Sequence, residues 1–342
     1  MRLYPPRACL SVLILAVAGC LLPLTHHSIL VPCLSVDDNP FVAPLVSTHS
    51  QAEHVTSELP WEHDIEFQTA VEKIQTPLLM AVYRVDLEES TEHEIHNIAL
   101  AATKLTGTVI PAGGTFSLNE AIGPYTEAQG FLPGRNYIAG QITLDVGGGV
   151  CTVATMLYNL TILSNLPVVQ RKPHSMIVPY VPPGQDATVS WTASVDYRFR
   201  NTTSGPIMIW AKIAEDTLFM AFYGQESPPA VQWRHEILSH TPAATVRRYN
   251  PELAANEERL VSPGFDGYLV RSWAEITFPD GRTMIRHLGT SHYMPSPRII
   301  EHGLRIEREA MSLLQAARKE PDRATAIRLW LPGLDSNQQP PG

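Results

Sequence analysis

The chain has 342 residues, 44% of them apolar and 17% charged, which supports a buried core in one large or two ordinary domains and excludes a disordered tail protein. Its 29 prolines and few charges read as a loop-rich, strand-rich body rather than a helical bundle. A formal net charge of -9 excludes a nucleic-acid binder, which needs basic residues to neutralise phosphates.

Arg2 and Arg7 precede an apolar run over residues 8–24. A positive start, an apolar middle and small residues at the end are the layout of an export signal. Within the run, Val17-Ala18-Gly19-Cys20 has the form of a lipobox, whose cysteine is acylated, so Cys20 is the candidate lipid anchor. A membrane-spanning helix and ordinary cleavage are the other two readings of residues 1–24. All three place the body outside the cytoplasm, and the first two tie it to the membrane. Residues 25–60 are polar, proline-bearing and aperiodic, as expected of a flexible tether.

The body is expected over residues 61–225, with a β-rich extension over 226–303 and a helix and tail over 304–342. Ile98, Ala101, Ala102 and Leu105 recur at i, i+3, i+4 and i+7, which predicts a helix over residues 92–105 that Gly107 stops. Short extended pieces are predicted at residues 108–111, 116–119 and 122–124. Val153, Met156, Leu157 and Leu160 predict a second helix, preceded by Gly147-Gly148-Gly149 and stopped near Asn165 and Pro167. Residues 176–178 read as a short strand. From Val189 to Arg200 apolar and polar residues alternate strictly, which predicts one long antiparallel strand with Trp191 on its buried face and Asp196 on its solvated face. Two strands follow, at residues 207–213 and 218–223. A β-hairpin turns at Pro279-Asp280-Gly281. The expected class is α+β, with N-terminal helices packed on an antiparallel sheet and a C-terminal β-hairpin extension. The closing residues 331–342 are aperiodic, resemble read-through of a neighbouring transfer-RNA gene, and are assigned no function.

Four cysteines occur, Cys9, Cys20, Cys33 and Cys151. The first two belong to the export segment, and a Cys33–Cys151 disulfide is conceivable, although the framework is not that of a disulfide scaffold. No C-x-x-C or H-E-x-x-H spacing occurs, so no metal and no cofactor is implied. Cys151 falls in the first turn of the second helix, where free N–H groups and the dipole favour a thiolate and an acyl oxyanion. His174 is the candidate base, at the start of a strand, and Asp186, in the turn that follows Pro183, the candidate acid that orients it. Gly148, Gly149 and Thr152 are the candidate substrate-binding residues. The same residues admit a plainer reading: a buried cysteine packed after a glycine turn, a histidine bonded to a carbonyl, and an aspartate serving its own turn.

At these residues the sequence resembles the VanW family. The likeness runs through Gly107-Thr108-Val109-Ile110-Pro111, Phe116-Ser117-Leu118-Asn119, Gly147-Gly148-Gly149-Val150-Cys151, Arg171, His174-Ser175, Tyr180-Val181-Pro182 and Gly184-Gln185-Asp186-Ala187-Thr188-Val189, and Tyr293-Met294-Pro295 resembles the family's C-terminal extension. It covers under half of the chain. The family usually has Gln after the cysteine and Ser two residues further on, where this chain has Thr152 and Ala154. If the family's Gln contributes to an oxyanion hole, the departure implies a weakened or inactive member. The resemblance implies an exported protein of the cell envelope whose partner is peptidoglycan or a cell-wall peptide. It leaves two functions open: a Cys-His thiol acyl-transfer enzyme, or a non-catalytic cell-wall peptide-binding or structural module.

Overall fold

The computed structural model describes residues 59–138 and 141–304. The export segment, Cys20, the tether up to residue 58 and the helix and tail expected after Leu304 lie outside the described residues.

Helix α1 (Ile65–Ile74) and strand β1 (Leu78–Asp86) come first. Helix α2 (Glu92–Leu105) starts on a reciprocal cap: Thr91 Oγ1 accepts the Glu94 N–H, and the Glu94 carboxylate accepts the Thr91 N–H at 2.7 Å. It buries the predicted face of Ile98, Ala101, Ala102 and Leu105. Then come β2 (Val109–Ile110), β3 (Thr115–Ser117), α3 (Leu118–Ile122) and the hairpin β4 (Pro133–Ile138) with β5 (Gln141–Val146). Helix α4 (Val150–Leu163), β6 (Val168–Gln170), β7 (Arg198–Arg200), β8 (Ile207–Ala214) and β9 (Thr217–Gly224) complete the first part.

The main sheet is antiparallel, in the order β1-β9-β8-β2, and β3-β7-β6 form a small second sheet. Both faces of the main sheet are covered, which is why Ile207 to Ala211 are all buried instead of alternating. Ile207 and Ile209 join the core beneath α2 and α4, while Met208 and Trp210 meet Trp61 and Phe67 on the opposite face. There the Trp61 indole N–H donates to the Tyr223 hydroxyl at 2.8 Å. Helix α4 lies in the centre: every residue from Thr152 to Ile162 is buried, so the predicted single apolar face is in fact apolar surroundings on all sides.

Among the described residues the C-terminal part has six strands: β10 (Ala230–Thr241), β11 (Thr245–Tyr249), β12 (Glu258–Ser262), β13 (Gly267–Thr277), β14 (Thr283–Tyr293) and β15 (Arg298–His302). They form the sheets β10-β13-β14 and β11-β15-β12, the β11–β15 pair being parallel. The predicted hairpin is β13–β14, but the extension is more than a hairpin. The other strands were illegible because most of their side chains are exposed on both faces, β11 along its whole length, which leaves no period of two. Val231, Trp233, Ala274 and Ile276 share the core of α4, and the Trp233 ring stands edge-on to Tyr158 at 5.2 Å.

Several local expectations are corrected. The strand predicted over residues 189–200 exists only at Arg198–Arg200. An isolated Ser190–Val195 bridge closes a turn instead, Ser194 is left-handed at φ 52°, and Trp191 is 43% exposed. Asp196 is not solvated: its carboxylate accepts the Ser117 hydroxyl at 2.6 Å and the Asn119 N–H at 3.0 Å, tying down the start of α3. Residues 176–178 form no strand, and His174 lies in a loop rather than at a strand's start.

Candidate active site

The chain reaches α4 through two glycines that have no substitute. A Cβ on Gly148 would lie 2.3 Å from the carbonyl carbon of Gly134 in β4, so the two backbones touch, and the Gly148 carbonyl accepts the Asn97 amide at 2.8 Å. Gly149, the N-cap, is at φ 101°, which turns the chain into the helix. Cys151 follows in the first turn. The Val150 and Thr152 N–H groups donate to Gly147 and Gly149. In the first turn of a helix the backbone N–H groups lack intrahelical acceptors, and the Cys151 N–H is one of them.

Cys151, Thr155 and Asn159 recur every four residues on one side of α4, and each holds the backbone of the segment 185–189. The Asn159 amide donates to the Gln185 carbonyl at 3.0 Å. The Thr155 hydroxyl accepts the Ala187 N–H at 3.0 Å and donates to the Ala187 carbonyl at 3.2 Å. Cys151 Sγ accepts the Val189 N–H at 3.5 Å, lies 3.6 Å from the Val189 carbonyl, and sits 3.4 Å from the Thr188 hydroxyl. The periods match: four helical residues rise about 6.0 Å and two extended residues about 6.6 Å. The segment is therefore zipped antiparallel along α4, and that zip delivers Asp186.

Asp186 is 1% exposed and is surrounded by donors. Its Oδ2 accepts the His174 N–H at 2.6 Å and meets His174 Nδ1 at 2.7 Å. Its Oδ1 accepts Arg171 Nη2 at 3.0 Å and the Tyr293 hydroxyl. A carboxylate acceptor fixes the Nδ1–H tautomer of His174, and the imidazole and the Cys151 sulfur lie close enough to shift each other's titration.

Burial pushes the Cys151 thiol up, but the hydrogen bond and charge of His174, helped by Thr188 and the Val189 backbone, outweigh it and hold the thiol below its ordinary value. Burial pulls His174 down, and Asp186 and Cys151 together outweigh that, raising it to about 9. Burial likewise pushes Asp186 up, while the bonded His174 and the Arg171 guanidinium bring it below the usual carboxylate range. The arrangement favours a thiolate-imidazolium pair. Cys151 is half-buried and opens on a cleft of about 710 Å³. Tyr125, Tyr180 and Trp191 line it near the sulfur, and Glu88, Glu89 and Asp145 stand among its acidic residues.

Cys151, His174 and Asp186 are thus brought together in one chain of contacts, and Cys151 is a free thiol. Gly148, Gly149 and Thr152 line the same cleft. Gly148 is spent on close packing, and Thr152 and Thr155 lie near the half-buried Tyr180, countering the burial that pushes its hydroxyl pKa well up. Arg171, Thr188, Tyr180 and Tyr293 were not assigned roles from sequence. The spacing of Cys151, Thr155 and Asn159 was the available signal for the zip, whereas Tyr293 lies too far along the chain for any local pattern to reveal it.

A family model described as VanW like protein matches residues 93–223. Over 144 residues the chain is 36% identical to the uncharacterized protein YoaR of Bacillus subtilis (strain 168), a match covering 42% of this chain and 47% of that protein. Over 148 residues it is 26% identical to the vancomycin B-type resistance protein VanW of Enterococcus faecalis (strain ATCC 700802 / V583), covering 41% of this chain and 52% of that protein. The chain therefore spans about half the length of these curated relatives. Among solved structures it is similar to an IgA1 protease G5 domain, with 25% identity, 24% of this chain and 100% of that chain covered, and a TM-score of 0.16. It is also similar to HP0197-G5, with 22% identity, 22% and 100% covered, and a TM-score of 0.14. The stretch matched by the family model holds Cys151, His174 and Asp186 together, and over that stretch the chain is similar to VanW-like proteins.

Proposed function

We propose that this protein is an extracytoplasmic thiol acyl-transfer enzyme acting on peptides of peptidoglycan. The observation that carries the reading is the Cys151-His174-Asp186 chain at the start of α4, opening on the cleft. The Cys151 thiolate attacks a peptide carbonyl carbon, and the oxyanion is met by the Cys151 N–H in the first turn, at the positive end of the helix. The imidazolium of His174 gives its proton to the leaving amine as the C–N bond breaks, which leaves a thioester on Cys151. Water or a second amine then attacks the thioester, His174 takes the incoming proton, and the thiolate departs. Asp186 holds the imidazole in the required tautomer throughout. Likeness to VanW-like proteins and the export-like residues 1–24 support a place of work at the envelope, with Cys20 as its lipid anchor.

A second reading, a non-catalytic module that holds a cell-wall peptide, is favoured by the contacts of Sγ with Thr188 and Val189, which serve the fold. Mass spectrometry after incubation with synthetic stem peptides separates the two. The enzyme forms an acyl adduct at Cys151 that is missing in Cys151→Ala. The binding module forms none, and Cys151→Ala keeps its affinity. No adduct across a panel of stem peptides sinks the enzymatic reading.

A further inference from the structure

We infer that the C-terminal sheet completes the candidate active site: Tyr293 of β14 is a positioning residue that fixes the Asp186 carboxylate against His174. Tyr293 is 1% exposed, and its hydroxyl accepts the Gly184 N–H at 2.6 Å while donating to Asp186 Oδ1. One hydroxyl thus ties both ends of the turn that carries the acid. Ser291, on the same face of β14 two residues earlier, accepts Arg171 Nη1 at 2.8 Å. Arg171 in turn donates to the Asp186 carbonyl at 2.7 Å and to Oδ1, with its guanidinium over the Tyr158 ring at 4.8 Å.

The neighbouring strands seat the same turn. Gln185 Nε2 meets His235 Nε2 at 2.8 Å, and His235 Nδ1 meets the Ser272 hydroxyl at 3.0 Å. Burial and the nearby Arg171 hold His235 down at about 4, so it is neutral, accepting from Gln185 and donating to Ser272. A Cβ on Gly184 would lie 2.5 Å from Ser272 Oγ, so β13 leaves that turn no slack. The loop of His174 is tied as well, through the Met294 N–H and the Ser175 carbonyl at 2.7 Å. Oδ2 serves His174 alone, and the partners on Oδ1 fix the rotation of the carboxylate about its own bond. None of the residues that reach in from the C-terminal sheet lies within the 93–223 stretch that matches the family model.

The placement stands on geometry; only its consequence for turnover rests on the proposed acyl-transfer function. The test is the pH profile of Cys151 alkylation by iodoacetamide in the full chain. Tyr293→Phe keeps the ring and removes the hydroxyl, freeing Oδ1 and the Gly184 N–H. The midpoint is expected to rise by about one pH unit, the size of one lost hydrogen bond to a charged group. Ser291→Ala, which leaves Tyr293 in place, is expected to raise it less and decides the matter if Tyr293→Phe does not fold. A midpoint unchanged or lowered in the folded variants overturns the inference. An alkylation shift without an acyl adduct in the wild type would sink the proposed enzyme and leave the positioning role standing; an adduct without a shift would do the reverse.

Discussion

Thr155→Val tests whether the zip along α4 builds the site. Thr155 is fully buried, and its hydroxyl both accepts from and donates to Ala187, the residue after Asp186. Valine keeps the shape and strands the Ala187 N–H and carbonyl in the core. Each unpaired buried group costs about 1–3 kcal/mol, against roughly 0.8 kcal/mol gained from the extra buried methyl. The net loss is about 1–5 kcal/mol, which lowers Tm by roughly 2–20 °C in a body of this size. Urea and thermal unfolding read the stability, and the pH profile of Cys151 alkylation reads the site. Thr161→Val is the control. That hydroxyl donates to the Leu157 carbonyl and accepts from Tyr197, both at 2.7 Å, and touches nothing in the 185–189 segment. Thr161→Val is expected to cost similar stability with the wild-type alkylation midpoint, whereas Thr155→Val raises that midpoint. A Thr155→Val protein with under about 1 kcal/mol lost and an unmoved midpoint would refute the zip.

Asp186→Asn has a pH signature in stability. Asp186 is lowered in the fold, so its contribution is present above the unfolded value near ~3.9 and is lost as pH falls through the folded one. His174 is raised to about 9, so its contribution is complete below ~6.5 and is lost as pH rises through about 9. In between, the lowered thiol shifts the proton balance the other way, which concentrates the alkaline loss near pH 9. The stability gap between wild type and Asp186→Asn, measured by urea unfolding across pH, is therefore expected to be a plateau that falls at both ends; a flat gap contradicts the charged pair. Gly148→Ala drives a methyl group into the Gly134 backbone and is expected to cost about 3 kcal/mol or abolish soluble expression. A Tm within a degree or two of wild type would show that the hairpin and the helix start are not in fixed contact.

The readable parts of the sequence were those where one face meets a core. Helix α2 carried its apolar period and its stop at Gly107, β8 and β9 their apolar runs, and β13–β14 a turn at Pro279-Asp280-Gly281. Cys151 was legible because three glycines mark a helix start. The alternation from Val189 to Arg200 misled because it continues across a turn: Val189, Tyr197 and Phe199 are buried, but Trp191 faces the cleft and Ser194 reverses the chain. Strand β1 and helix α1 escaped notice, since β1 mixes buried and exposed positions without period and α1 buries a single residue, Phe67. Donors to Asp186 from more than 100 residues away, such as Tyr293, follow from strand order alone, which local pattern does not encode.

The position of Asp186 also bears on what the C-terminal sheet is for. Burying a carboxylate, a guanidinium and an imidazole together is costly unless every donor and lone pair is met. Within residues 93–223 the account does not close: Arg171 Nη1, the Gly184 N–H and one bond to Oδ1 all find their partners on β14. Without β14 those groups would either take in water, which weakens the field that holds the thiolate beside its imidazolium, or drag the turn away from His174. In this chain the sheet after residue 225 therefore belongs to the electrostatics of the sulfur as much as α4 does. The charged site and the tight contact at Gly184 are two results of one packing arrangement.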